Sequence, residues 1–223
     1  MFSAMFQKLW ANGLIQLGIW ETVYMTLIAS AFSYLFGLPL GVILSVTDKG
    51  GICENKLINT VLGFIVNFFR SIPFIILMVA LLPVAKFIVG TSLGNKAVIV
   101  MLIIGAAPYV ARMVESSLNE VPSGIIEAAN SMGASPLFII IHFILPEAFP
   151  SLLLGGAINI ATILGYSAMA GVIGGGGLGA IALQYGYYRY EKTVLWVTVT
   201  ILVVMVMFVQ EAGVQLSKRS RKA

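Results

Sequence analysis

The chain has 223 residues, of which 59% are apolar and 10% charged, and its mean hydropathy is +1.00. Soluble domains carry about 25% charged residues, so this composition excludes an ordinary soluble enzyme and indicates one compact bundle solvated mostly by hydrocarbon. The net charge of +4 reflects the tail residues Lys218, Arg219, Arg221 and Lys222, and with no basic groove with interleaved aromatics the sequence excludes a nucleic-acid partner.

A membrane-spanning helix takes about 20 apolar residues. The first predicted span covers about 19–46, with no charge between Glu21 and Asp48. Gly37 and Gly41 flank Pro39 there, so this helix packs closely on a neighbour or bends near its end. A polar turn, TDKGGICENK, follows. It holds Cys53, the single cysteine, which excludes an intrachain disulfide. His142 is likewise the single histidine, too little for a zinc site.

The second span lies within 57–85 and is interrupted by Arg70 and by Pro73 in RSIPF. Either the helix bends there or a short interfacial helix precedes the span proper. The third span, 97–118, carries Pro108, Arg112 and Glu115 in its later half. Arg112 and Glu115 are three apart and share a helix face. Charges at membrane depth pair or reach the interface, so Arg70, Arg112 and Glu115 are candidate structural charges, with a part in a gate as the alternative.

Residues 119–146 form a loop containing EVPSGIIEAANSMGASP. Pro122 suits the first turn of a helix, because its missing N–H is unpaired there in any case. Ile125, Ala129 and Met132 then share one face, and Glu127 and Asn130 lie off it. Gly133 permits a tight exit or a positive backbone angle, and Pro136 limits continuation. An ordinary interfacial helix would show the same features.

From Ala148 to Tyr188 no residue is charged, which is too long for one span. The break belongs at AGVIGGGGLGA, where the glycines disfavour helix. This gives a fourth span over about 150–172 and an exterior segment with Tyr185, Tyr187, Tyr188 and Tyr190 at the interface. GGGGLG is not a phosphate loop, because Ala180 and Ile181 follow it and no lysine occurs until Lys192. The fourth span carries Met169 among small residues. A thioether there suits an apolar constriction, or it is packing filler. The fifth span covers about 192–212.

Five spans place the termini on opposite sides. The basic tail puts the C-terminus inside and the N-terminus outside. The loops help little: Lys49, Lys56 and Arg112 would lie inside, against Lys8, Lys86, Lys96, Arg189 and Lys192 outside.

EAANSMGASPLFIIIHFILP resembles the EAA loop of bacterial ABC-importer permeases, which fits a cleft on the ATP-binding subunit. WETVYMT, RSIPFIILM, GAAPYVARMVE and GYSAMAGVIGGGGLGAIALQYGY extend the likeness from Trp20 to Ala212, toward the methionine-importer permeases. The resemblance implies an all-α, five-span bundle of the type I importer permease fold with a cytoplasmic coupling helix, in a bacterial inner membrane. It implies coupling through Glu127, Ala128, Ala129, Met132 and Gly133, and a substrate pathway or gate at Met169, Tyr166 and Ser167. The implied partners are a second copy, two ATP-binding cassette subunits that use ATP and Mg, a substrate-binding lipoprotein, and methionine itself. No cofactor is expected in this chain, and no catalytic residue. An importer for another amino acid or small solute is the alternative. A membrane enzyme would need a paired acid and base at bundle depth, and a secondary transporter would show inverted repeats; neither pattern is found.

Overall fold

The structure, a computed structural model, describes residues 4–220; Arg221 and Lys222 of the basic tail lie outside them. All the regular elements described are helical. Helix α1 (Ala4–Ala11) leads through Gly13, in the left-handed region, into α2 (Leu14–Thr47). At 34 residues α2 is about 50 Å long, and it starts earlier than the apolar run alone indicates. Pro39 sits inside it without ending it.

Gly37 and Gly41 give α2 its close packing on α6 (Asn95–Asn119). A Cβ on Gly37 would stand 2.6 Å from the Val110 side chain and 2.8 Å from the Ala107 carbonyl oxygen. A Cβ on Gly41 would stand 2.5 Å from the Ala111 oxygen. The small residues let two backbones approach, which drives helix association where lipid is as apolar as the side chains.

The second span is broken. Helix α3 (Lys56–Ser71) and α4 (Phe74–Ala80) meet at 103°. Pro73 cannot donate a backbone hydrogen bond and holds the preceding residue extended; Ile72 has φ −84° and ψ 125°. Of the two sequence alternatives, the bend is the one observed. A short α5 (Leu82–Val89) follows and stops at Gly90, φ 78°.

Helix α6 runs through Pro108 unbroken. After α7 (Ser123–Ser131), the next long helix, α8 (Pro136–Ile173), begins well before the expected start near 150. Within it Ile140–Ile144 forms a π turn. Pro146 follows at once; its ring would crowd the carbonyl one turn back, and the wider turn relieves this. The last turns of α8, Ala168–Ile173, tighten to a 3₁₀ helix. The glycine turn 174–177 leads to α9 (Leu178–Ile181), which continues as a π turn through Tyr187. The last helix, α10 (Lys192–Ser220), carries Lys218 and Arg219 in its final turn and runs past the expected 212.

Four helices are long and apolar enough to cross a membrane, and the bent pair α3–α4 meets the same test only when its two helices are taken together. The chain is therefore a multi-span helical membrane bundle. The two largest buried cores stack along it. One holds Met25, Met78, Met101, Leu102 and Ile163. The other holds Val110, Val114, Ala129, Ile139 and Ile144, beside α7. The tail lies at the α7 end, because Ser217 Oγ donates to the Pro150 carbonyl at 2.7 Å and Ser220 borders a hollow with Glu120 and Glu147.

Candidate functional site

The loop between α6 and α8 is a folded, rigid element. Pro122 stands at the cap of α7, one residue before the helix, with extended ψ 130°. At the other end Gly133 has φ 76°. Its N–H donates to the Asn130 oxygen at 2.9 Å, and the N–H of Ala134 donates to the Ala129 oxygen at 3.2 Å. This is the Schellman arrangement, which satisfies the last carbonyls of a helix and needs the left-handed residue that glycine supplies. Pro136 then opens α8, with the Ser135 hydroxyl capping it at Phe138 N, 3.4 Å.

Of the five residues named for coupling, Glu127, Ala128, Met132 and Gly133 are exposed, and Met132 keeps 73% of its surface. Ala129 is fully buried against the core of the bundle. The apolar stripe expected on one face is thus divided between core and surface. Ile125 and Ala129 hold the helix down, and Met132 stands out beside Gly133. The stripe follows the chain's own core because α7 packs on the start of α8, and Ala129 joins the buried cluster there. Next to Gly133, a hollow of about 400 Å³ is lined by Met132, Ala134, Ser135, Phe138 and Phe143. His142 is exposed and stacks on Phe138, ring centroids 4.1 Å apart.

The membrane charges fall into two groups. Arg112 Nη1 donates to both Glu115 oxygens, at 2.7 and 2.9 Å. Its Nε donates to Asn67 Oδ1 at 3.2 Å and its Nη2 to the Gly63 carbonyl at 3.3 Å. The pair therefore ties α6 to α3. Arg70 is exposed, one residue from the end of α3, and makes no hydrogen bond or ion pair with the described residues.

The three pathway candidates sit together at the far end of α8. Tyr166 stacks on Phe74 just past the bend, centroids 4.2 Å apart and planes 8° apart. Ser167 is buried, and its hydroxyl donates to the Leu164 carbonyl at 2.7 Å. Met169 is 38% exposed on the 3₁₀ segment.

One cluster had no place among the sequence candidates. Glu21 Oε1 accepts from Asn95 Nδ2 at 2.8 Å, and Glu21 Oε2 accepts from the backbone N–H of Gly177 at 2.7 Å. Asn95 Oδ1 accepts from Gly176 N–H at 2.6 Å, and Thr22 Oγ1 accepts from Leu178 N–H at 2.9 Å. The glycine turn is thus bound to the starts of α2 and α6. The turn is tightly packed. A Cβ on Gly176 would collide with the Glu21 carboxylate, and one on Gly177 would stand 2.8 Å from Thr22 Oγ1. The available signal was a lone carboxylate at the head of a span, with a run of bare backbone N–H groups elsewhere. Among the described residues, no group of three or more His, Cys, Asp or Glu could hold a metal ion.

The model of the binding-protein-dependent transport system inner membrane component family matches residues 37–222. The probable D-methionine transport system permease protein MetI of Vibrio cholerae is 52% identical over 208 residues, covering 93% of this chain and 92% of that protein. The D-methionine transport system permease protein MetI of Escherichia coli K12 is 50% identical over 154 residues, 69% and 71% of the two chains. Among solved structures, a chain of the MetNI methionine ABC transporter in an inward-facing conformation superposes with TM-score 0.92 at 46% identity, covering 94% of this chain and 97% of that one.

Proposed function

We infer the role of this chain from one premise: it belongs to the binding-protein-dependent transport system inner membrane component family. It is the permease subunit of a methionine importer driven by ATP, and it does no covalent chemistry itself. ATP is hydrolysed by a partner subunit.

The observation that carries the coupling role is α7, a capped surface helix held between two spans. In this reading two copies form the pathway, and each α7 enters the cleft of one of two ATP-binding cassette subunits. Glu127, Ala128, Met132 and Gly133 make the contact, and Ala129 anchors the helix. When the cassettes close on ATP and Mg, α7 moves with them. Ala129 shares a core with α6 and α8, so the displacement passes into both. Helix α8 leads from the loop to Tyr166 and Met169, where two copies would form an apolar constriction. Ser167 lies within that segment and supports its backbone. Arg112 and Glu115 fasten the moving helix to α3.

The tail and α7 share one end of the bundle. The basic tail assigns that end to the cytoplasm and the N-terminus to the outside, where a substrate-binding lipoprotein delivers methionine. Membranes of this kind are bacterial inner membranes. Native mass spectrometry of the complex purified in mild detergent is expected to give two permeases and two cassettes. A stable complex of one permease with one cassette would contradict the reading.

A further inference from the structure

Among the charges on the spans away from the two ends of the bundle, Arg70 differs from Arg112 and Glu115, and Glu21 marks the end opposite α7. Glu21 is engaged with Asn95 and Gly177, and Arg112 with Glu115, Asn67 and Gly63. Arg70 has no partner among the described residues and is exposed on the protomer. Its depth makes this costly. Helix α3 starts at the α7 end, and Arg70 lies about 20 Å along it, in a hydrocarbon layer about 30 Å thick. Four residues on, Phe74 lies against Gly105 in the middle of α6. A cation at that depth faces a water-filled cavity or an anion.

The face of α3 that carries Arg70 is polar along its length. Asn59, Gly63, Asn67 and Arg70 recur at helical spacing. Asn59 donates to the Leu44 carbonyl at 2.9 Å, and Gly63 and Asn67 accept from Arg112. The track is satisfied by protein at its lower end and ends open at Arg70, beside the bend.

A second copy of the chain has no acid to offer there. Its nine acidic residues are Glu21, Asp48, Glu54, Glu115, Glu120, Glu127, Glu147, Glu191 and Glu211. Glu21 and Glu191 lie at the outer end, and Glu115 is paired. Asp48, Glu54, Glu120, Glu127 and Glu147 lie around the α7 end, and Glu211, about 14 Å from the end of α10, already accepts from Gln215 Nε2 at 2.6 Å. An anion that meets Arg70 therefore comes from outside the permease. The transported solute, an amino acid, brings a carboxylate, whose planar geometry suits a guanidinium.

We propose that Arg70 binds the α-carboxylate of the amino acid in transit at the middle of the pathway. This rests on the methionine-permease reading above. It is tested with the assembled complex of permease, cassettes and binding protein in sealed vesicles. Arg70→Gln is expected to lower ATP-driven methionine uptake at least tenfold, while assembly and ATP hydrolysis stimulated by the binding protein persist. Arg70→Lys is expected to recover a large part of the uptake. Uptake within twofold of wild type in Arg70→Gln would overturn the assignment. So would failure of Arg70→Gln to assemble, which would make Arg70 structural. The uptake deficit is expected to be equal in vesicles of phosphatidylcholine alone and in vesicles containing phosphatidylglycerol. A deficit confined to the latter would assign Arg70 to a lipid phosphate instead. Absence of methionine uptake by the wild-type complex would count against the permease reading, not against Arg70 alone.

Discussion

A carboxylate oxygen of Glu21 lies 2.7 Å from the backbone nitrogen of Gly177, although 156 positions separate the two residues. That bond closes the end of the bundle opposite α7. It joins the start of the first span to the turn that follows the fourth, with Asn95 of the third bridging both. A carboxylate that accepts backbone N–H groups at a glycine turn is a strong local tie. Glu21→Ala is expected to destabilise the purified complex by about 2 kcal/mol, read as a lower melting temperature. Gly176→Ala should be at least as damaging, because its new Cβ meets the same carboxylate. Unchanged melting in both variants would show that the turn holds without Glu21.

The contact of Gly41 with Ala111 sets how near α2 and α6 can come. Gly41→Leu would drive a branched side chain into the Ala111 carbonyl and Val114. Over-packing costs about 1–3 kcal/mol when neighbours can shift, and more is expected here because backbone is in the way. The check is melting in detergent, with Gly50→Leu as a control for insertion, since Gly50 faces open space. Gly50 has φ 78°, so the control carries backbone strain but no collision. Equal losses in the two variants would contradict close packing as the cause.

Gly133 separates coupling from folding. A Cβ there meets nothing within 4 Å, and the penalty of Gly133→Leu is the positive φ, about 1–2 kcal/mol. Normal membrane insertion with weaker cassette binding and lost uptake is expected. Wild-type assembly and transport in this variant would remove the α7 exit from the coupling role.

Met169 probes the pathway. With 38% of its surface free on the protomer, Met169→Trp has room to fold, and an indole from each of two copies should block a constriction. Methionine uptake is expected to fall sharply while melting stays close to wild type. Unimpaired uptake would place Met169 away from the pathway.

Most of the architecture was legible because hydrocarbon imposes simple rules. Long uncharged runs marked the spans, and Pro73 marked the bend. Arg112 and Glu115 were readable as a pair from their spacing alone. The positive angle at Gly133 was likewise suggested by the residue type, and φ 76° agrees. Span limits were less legible. Helix α8 begins at Pro136, where a proline in the first turn permits a start, whereas hydropathy drew attention to the charge at Glu147. The direction of the α7 stripe was not legible, because periodicity shows that a face is apolar without showing which neighbour covers it. The Glu21–Asn95–Gly177 cluster left only a faint signal, the lone carboxylate at the head of a span. It depends on three segments meeting in space, and each looks unexceptional by itself.

The central claim is that this chain passes methionine through a membrane at the expense of ATP hydrolysed by its partners. The direct measurement is uptake of labelled methionine into vesicles holding the complete complex, with the binding protein and ATP on their appropriate sides. Accumulation that requires ATP, the binding protein and an intact α7 is the result expected. Methionine movement that proceeds equally without ATP, or no movement with every component present and assembled, would contradict it.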